Sequence, residues 1–429
     1  MDITQIFESR KNNSKWNTSY PLSPNDWVKY RTDTSLIFNE KDGISYYIHI
    51  PFCKKLCSFC EYTRMECPSI ELQYNYLVNL EKDVLHFVHT HANMPLRGFD
   101  IGGGTPTTLS EENFQFLLNI FRKVIDRLSR NDDFEPSIET TFDTITLNKA
   151  RMITEAGIRR VSLGIQSTDP NVLKDNHRVT VNLTSMLETI EMLHHAGIEK
   201  VNLDLMYGLK GQTTKSIAKD LKAIEILNPE QVTLYELRTN MIREPSYLSK
   251  DELYYAYRCL YEGLIALGYH ARFGQNTFSK YIADHGVSSY LRSRMLDGVA
   301  YKGFGLSAQS MNNEGISYNI GKNSCQLKKL LSSSSFLDEY IYKLPPAELA
   351  SKYIAIGAYN GSFSLNHVTK LIGQSAIDYF KKQLDFCLAN DLVSVENERV
   401  YITANGFRHY GAVLSLIHIS EPTRRSYIS

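Results

Sequence analysis

The stretch Tyr47–Cys60 reads YIHIPFCKKLCSFC, and its cysteines Cys53, Cys57 and Cys60 stand in a CxxxCxxC spacing. They close an apolar, alternating run that starts at Ile44 and reads as a strand. Thiolates are soft ligands that select zinc, Cu(I) or iron–sulfur clusters over hard cations. Three of them in a loop leaving a strand can wrap three corners of a [4Fe–4S] cubane, and one iron then lacks a protein ligand. A zinc site completed by Cys67 is the alternative, since it needs nothing but four thiolates.

Outward from this loop, the chain alternates short apolar runs with helical patterns. Strand-like runs are Ile44–Ile50, Gly98–Gly102, Ser137–Phe142, Arg160–Ile165, Val201–Tyr207 and Gln231–Leu237. Between and after them lie Ile70–Phe87, Glu111–Leu128, Leu147–Ala156, Thr184–His195, Thr214–Leu227 and Lys250–Leu267 with helical spacing. Six such alternations predict an α/β fold, a six-unit (β/α) partial barrel of the TIM type with helices outside. Sites in such barrels gather on the loops that follow the strands. The cysteines follow the first strand, and later strands deliver further polar groups. After the second come Gly102, Gly103, Gly104 and Thr105, glycines that let backbone approach a ligand closely. Glu139 lies on the third strand, where a buried carboxylate needs a partner. Gln166 ends the fourth strand and Arg178 follows it; Asp204 alternates with Leu203 and Leu205 on the fifth.

These motifs together resemble the radical S-adenosylmethionine (SAM) enzymes, in the branch of the oxygen-independent coproporphyrinogen III oxidases. The carriers are YIHIPFC with its CxFC sequel, GGGTP at 102–106, RVSLGIQS at 160–167 and LDLMYGLKGQT at 203–213. The resemblance implies that Cys53, Cys57 and Cys60 ligate a [4Fe–4S] cluster whose open iron binds SAM. One electron then cleaves SAM to methionine and a 5′-deoxyadenosyl radical. It implies that Tyr47, Phe59, the Gly102–Thr105 segment, Glu139, Gln166, Arg178 and Asp204 surround SAM. Glycine 102–104 backbone would meet its amino group, Arg178 its carboxylate and Asp204 its ribose. The implied partners are a porphyrinogen-type substrate and an electron donor such as flavodoxin or ferredoxin. Arg64, Arg238 and Arg272 are candidates, by location, for cations that meet an anionic substrate.

Two departures stand out. Tyr62 occupies a position where the oxidases carry a further cysteine, and the YEVSNFAK-like run of relatives is poorly kept at Phe273–Lys280; Lys210 in place of a proline of the fifth-strand turn is a smaller one. The same framework serves haem chaperones and radical methyltransferases, which remain alternatives to the oxidase.

With 47 basic and 47 acidic side chains among 429 residues, the chain has no global field for nucleic acid. No apolar run approaches the roughly 20 residues of a membrane span. The remaining cysteines (Cys67, Cys259, Cys325, Cys387) show no framework spacing, and the N-terminus is polar; a cytoplasmic protein is expected. The division expected is an N-terminal arm (1–43) with WNTSYPLSP at 16–24, the barrel (44–268) and a substrate-side extension (269–345) with YKGFGLSAQS at 301–310. A helical, winged-helix-like domain (346–413) follows. Residues 414–429 resemble a translated sequencing adapter, so they are expected to be non-native, with Ile417 and Ile419 exposed.

Overall fold

The computed structural model describes residues 2–11, 24–39, 41, 43–237, 248–321 and 326–417. The TSYP segment, Arg238, Cys325 and Ile419 lie outside them.

Six parallel strands form the centre: β1 (Ile44–Ile50), β2 (Leu96–Gly103), β3 (Ser137–Thr140), β4 (Arg160–Gln166), β5 (Lys200–Tyr207) and β6 (Gln231–Glu236). They neighbour one another in chain order, as right-handed crossovers dictate. The helices between and after them are α1 (Ile70–Thr90), α2 (Glu111–Ile125), α3 (Leu147–Glu155), α4 (Leu183–His195), α5 (Thr214–Leu227) and α6 (Lys250–Ala266). Each starts on a side-chain cap: Ser69, Ser110, Thr146, Asn182, Thr213 and Ser249 accept from the backbone N–H three residues on. Such a cap contributes about 1 kcal/mol, which is why these boundaries are local decisions.

The period of two sorts β1 into faces. Tyr46 meets the rings of Phe87 and Phe99 in the outer layer, while Tyr47 on the opposite face stacks on Tyr290. The sheet is wider than six strands. β7 (Thr277–Ser279) adds antiparallel to β6. On the other side, β8 (Tyr301–Phe304) pairs parallel with β1, and β9 (Gln309–Asn312), β10 (Gly315–Tyr318) and β11 (Tyr340–Lys343) continue antiparallel. The seven-residue helix α7 (Ser289–Met295) packs against β1 and β2, with Tyr290 backbone so close to Gly98 that a Cβ there would lie 2.3 Å from its nitrogen.

Beyond Pro345 come α8 (Pro346–Tyr359), β12 (Ser362–Ser364), α9 (Leu365–Ile372) and the hairpin β13 (Val393–Glu396)–β14 (Arg399–Ile402), with β12 pairing on β14. The region is helical as expected and carries the expected hairpin, but two more helices, Ala404–Arg408 and Tyr410–Ile417, follow that hairpin. The expected exposure of Ile417 does not hold, while Ile419 lies outside the described residues. Leu414, Leu416 and Ile417 are wholly buried in α10 (Tyr410–Ile417), sharing a core with Phe7, Phe363 and Leu384. Arg10 of the N-terminal helix Ile3–Arg10 donates to Ser415 O at 3.2 Å. YGAVLSLI carries no charge, and burying its apolar surface is favourable whatever its origin.

Candidate active site

The cysteine loop leaves β1 and is held from several sides. Cys67 N donates to Cys53 O at 2.9 Å, and Ser58 donates through both its N–H and its hydroxyl to Asn176 O. His49 bonds through Nε2 to Thr63 O at 2.8 Å, tying the strand to the segment after the third cysteine. Cys53 and Cys57 are buried and Cys60 half-buried. Burial, with the neighbouring Cys60 adding to it, pushes the Cys53 thiol up to about 11, and burial raises Cys60. Cys53, Cys57 and Cys60 thus feel one another's charge. Cys67 does not belong to them: its Sγ meets Thr108 O at 3.5 Å and Gln73 Nε2 at 3.4 Å. A single zinc would need sulfurs about 3.8 Å apart around 2.3 Å bonds. Among the described residues no three His, Cys, Asp or Glu side chains are so gathered. Cys67 is thus bonded away from the other three cysteines.

Two guanidiniums flank the loop. Arg64 Nη2 donates to Cys57 O at 2.6 Å, and Arg178 Nη1 reaches Cys57 Sγ at 3.5 Å while its Nη2 holds Gly164 O. Cations there balance the charge of an anionic thiolate-ligated group, and metal binding must displace the thiol protons. The donor set fits a cluster.

The other predicted residues converge on the same end of the strands. Gly102 and Gly103 allow Glu139 its place: a Cβ on Gly102 would sit 2.4 Å from the Glu139 carboxyl carbon, and Gly103 N donates to Glu139 Oε2 at 2.9 Å. Gly103 itself is at φ +114°, with a Cβ there meeting the His49 ring. The expected free N–H donors are partly spoken for, since Gly104 N bonds Ile50 O and Thr105 N bonds Phe52 O. An ammonium is a donor, so carbonyls are what this segment could offer it. Thr105 also bonds the Cys53 thiol. Gln166 sits at φ +59° beside a register shift between Gly164 and Gln166, and its Oε1 is buried with no partner. A strained residue presenting an unused acceptor marks a ligand contact. Asp204 accepts from Ser162 Oγ at 3.1 Å and Asn202 Nδ2 at 2.8 Å. Phe59 packs partly buried against Val172, Leu209 and Leu237.

Glu139 lies deep in the barrel yet is water-accessible, so open volume adjoins it. Burial pushes its carboxyl up to about 7 and that of Asp204 to about 6.

Residues 47–224 match the family model of the radical SAM superfamily. This part of the chain is a radical SAM domain. Heme chaperone HemW of Bacillus subtilis is 32% identical over 193 residues, covering 45% of this chain and 50% of its own length. Oxygen-independent coproporphyrinogen III oxidase of Escherichia coli is 33% identical over 196 residues, 45% of this chain and 41% of its own. The chain thus spans about half the length of the curated relatives it matches. The solved structure of the Escherichia coli coproporphyrinogen III oxidase HemN superposes with a TM-score of 0.70 over 88% of this chain and 90% of that one. At 23% identity that likeness shows the fold, including the flanking strands and the C-terminal region. Radical SAM membership implies SAM and a [4Fe–4S] cluster, and the residues above suit both. No described helix is long and apolar enough to cross a membrane.

A cation placed against Glu139 favours its charged form and lowers its pKa. SAM binding below about pH 7 is therefore expected to release protons and to strengthen as pH rises towards that value. Calorimetry in buffers of different ionisation enthalpy would read the release; none at pH 6 to 7 would remove Glu139 from the SAM site. The sign for stability is opposite. A carboxyl raised in the fold holds its proton while the unfolded chain loses it, so this contribution falls as pH climbs from the ordinary carboxylate range to about 7.

The cations singled out in the sequence have the following places in the structure. Arg272 is fully engaged, forking onto Glu396 at 2.9 and 2.7 Å over the Tyr401 ring. Arg64 is committed to the cysteine loop, and Arg238 lies outside the described residues. Arg294 was missed. It stands on α7, 4.3 Å from the Tyr301 ring centroid, donating to Tyr290 OH and Gln309 Oε1. Its Nε is buried without a partner and it makes no ion pair among the described residues. Only the three-dimensional meeting of α7, β8 and β9 reveals it.

Proposed function

We propose that this chain is a radical SAM enzyme that oxidatively decarboxylates coproporphyrinogen III to protoporphyrinogen IX. The observation that carries the substrate class is Arg294, a guanidinium without a carboxylate partner among the described residues, bordered by Tyr290 and Tyr301, with Tyr47 stacked on Tyr290 at 5.6 Å. Aromatic rings beside an uncompensated cation suit an apolar macrocycle that bears carboxylates. A buried cation also costs desolvation unless an anion arrives.

In this reading Cys53, Cys57 and Cys60 hold the cluster. Glu139 and the carbonyls of Gly102–Gly104 take the SAM ammonium, Arg178 its carboxylate, and Asp204 its ribose hydroxyls; Gln166 spends its free acceptor there. Tyr47 and Phe59 flank the bound molecule. When bound, cluster and SAM supply a 5′-deoxyadenosyl radical. The protein's own work is to hold a propionate β-carbon within reach, with Arg294 fixing a carboxylate, and to keep water and oxygen away. Each propionate loses one hydrogen atom from that carbon, then CO2 and one electron, leaving a vinyl group; an external acceptor takes the electron.

Anaerobic turnover with SAM, a reductant and an acceptor should yield a porphyrinogen lighter by two formate equivalents. Arg294→Gln should raise KM for it about tenfold or more, with Arg294→Lys rescuing in part, because a charged hydrogen bond contributes roughly 1.5–3 kcal/mol. SAM cleavage with unchanged porphyrinogen would sink the oxidase, and methylated product would make it a methyltransferase. The second reading is a haem chaperone. It is favoured by Tyr62, 60% exposed where the oxidases carry a cysteine, and it expects tight haem binding without turnover.

A further inference from the structure

A cleft of about 650 Å³ opens beside the cysteine loop, lined by Lys55, Lys174, His177, Arg178 and Val179 among others. No carboxylate among the described residues lines it. Lys55, Lys174 and His177 are exposed, and the nearby acids include Asp143, paired with Lys54 at 3.5 Å, the buried Asp169, paired with Lys219 at 2.6 Å, and the exposed Asp175. Leu56 and Val179 are apolar and open at 38% and 36%. The wall of the cleft is bonded to the cluster loop: Asn176, between Lys174 and His177, accepts from Ser58 and donates through Nδ2 to Lys210 O at 3.0 Å. Arg178 spans the whole thickness, facing the cleft and touching Cys57 Sγ at 3.5 Å.

We infer that this cleft is the docking face for an acidic-surfaced protein that delivers single electrons to the cluster. Exposed rim cations around a small apolar centre suit a transient partner, because rim charge sets encounter rate and salt dependence more than affinity. Redox encounters of this kind bury little surface. A small anionic metabolite fits worse: none of the buried unpartnered side-chain atoms among the described residues belongs to a residue lining the cleft. Two protein routes join the cleft to a cluster ligand, the backbone from Lys55 through Leu56 to Cys57 and the Arg178–Cys57 contact. In the transfer one electron leaves the carrier and one enters the cluster; no bond breaks and no proton moves. The inference rests on the cluster of the proposed function, and not on its substrate.

The test uses the reconstituted full chain with reduced flavodoxin as the acidic carrier, comparing wild type with Lys55→Glu/Lys174→Glu. Flavodoxin affinity, read by calorimetry, should fall about tenfold or more in the variant, and should weaken with salt in the wild type. Bleaching of the cluster absorbance by flavodoxin should slow by a similar factor, while bleaching by dithionite should not change. Lys55→Gln/Lys174→Gln should lie between. Equal flavodoxin affinity and rate in wild type and variant would overturn the docking face. So would equal slowing with dithionite, which would make the lysines supports of the loop. A wild type that dithionite cannot bleach would fail the cluster assignment instead, and product analysis fails the substrate separately.

Discussion

Alanine at any one of Cys53, Cys57 or Cys60 is expected to abolish SAM cleavage, and Cys67→Ala is expected to leave it intact. The asymmetry comes from what each sulfur touches. Cys53 bonds Thr105 and feels Cys60 and Cys57, and Cys57 lies under Arg178. Cys67 points at Thr108 O and Gln73, away from that group. A cubane held by three thiolates leaves one iron open; with two it has no secure hold and no defined open corner. Iron and sulfide content after anaerobic reconstitution would measure the loss directly, before any turnover assay. If Cys67→Ala empties the site as well, four sulfurs act together and the open-iron reading is wrong.

Much of this was legible because it is local. Alternating runs such as Ile44–Ile50, capped helices such as the one after Ser69, and glycines before Glu139's strand each carry their structure in a few residues. The flank was not. Tyr301–Phe304 and Gln309–Asn312 are four residues each, too short for a period to declare itself; the first pairs with β1, some 250 positions away in sequence, and the second pairs on the first. Arg294 fails for a related reason: in SYLRSRM it reads as an ordinary surface arginine. Its character comes from Tyr301 and Gln309 arriving on other strands. Gln166 was found as a motif residue, but its left-handed φ and idle oxygen are facts of the bulge.

The C-terminal segment gives the other large effect. Judged by its resemblance to an adapter, sequence from Leu414 onward should be dispensable; judged by burial, it is core. Leu414, Leu416 and Ile417 have no exposed surface, and they lie in one cluster with Phe7, Tyr353, Phe363 and Leu384. Replacing one such side chain by alanine costs about 2–5 kcal/mol through lost transfer energy and the cavity left behind. A whole domain is stable by only about 5–15 kcal/mol. Leu416→Ala is therefore expected to lower the unfolding midpoint of the C-terminal region by many degrees. Truncation after Val413 should unfold that region outright, and it should also release the N-terminal helix, whose Arg10 bonds Ser415 O and whose Phe7 shares the core. Hydrogen exchange would locate the loss: protection should vanish from α8, α10 and residues 3–10 while the barrel strands keep theirs. Unchanged melting and protection after truncation would mean that these apolar residues only cover a core complete without them.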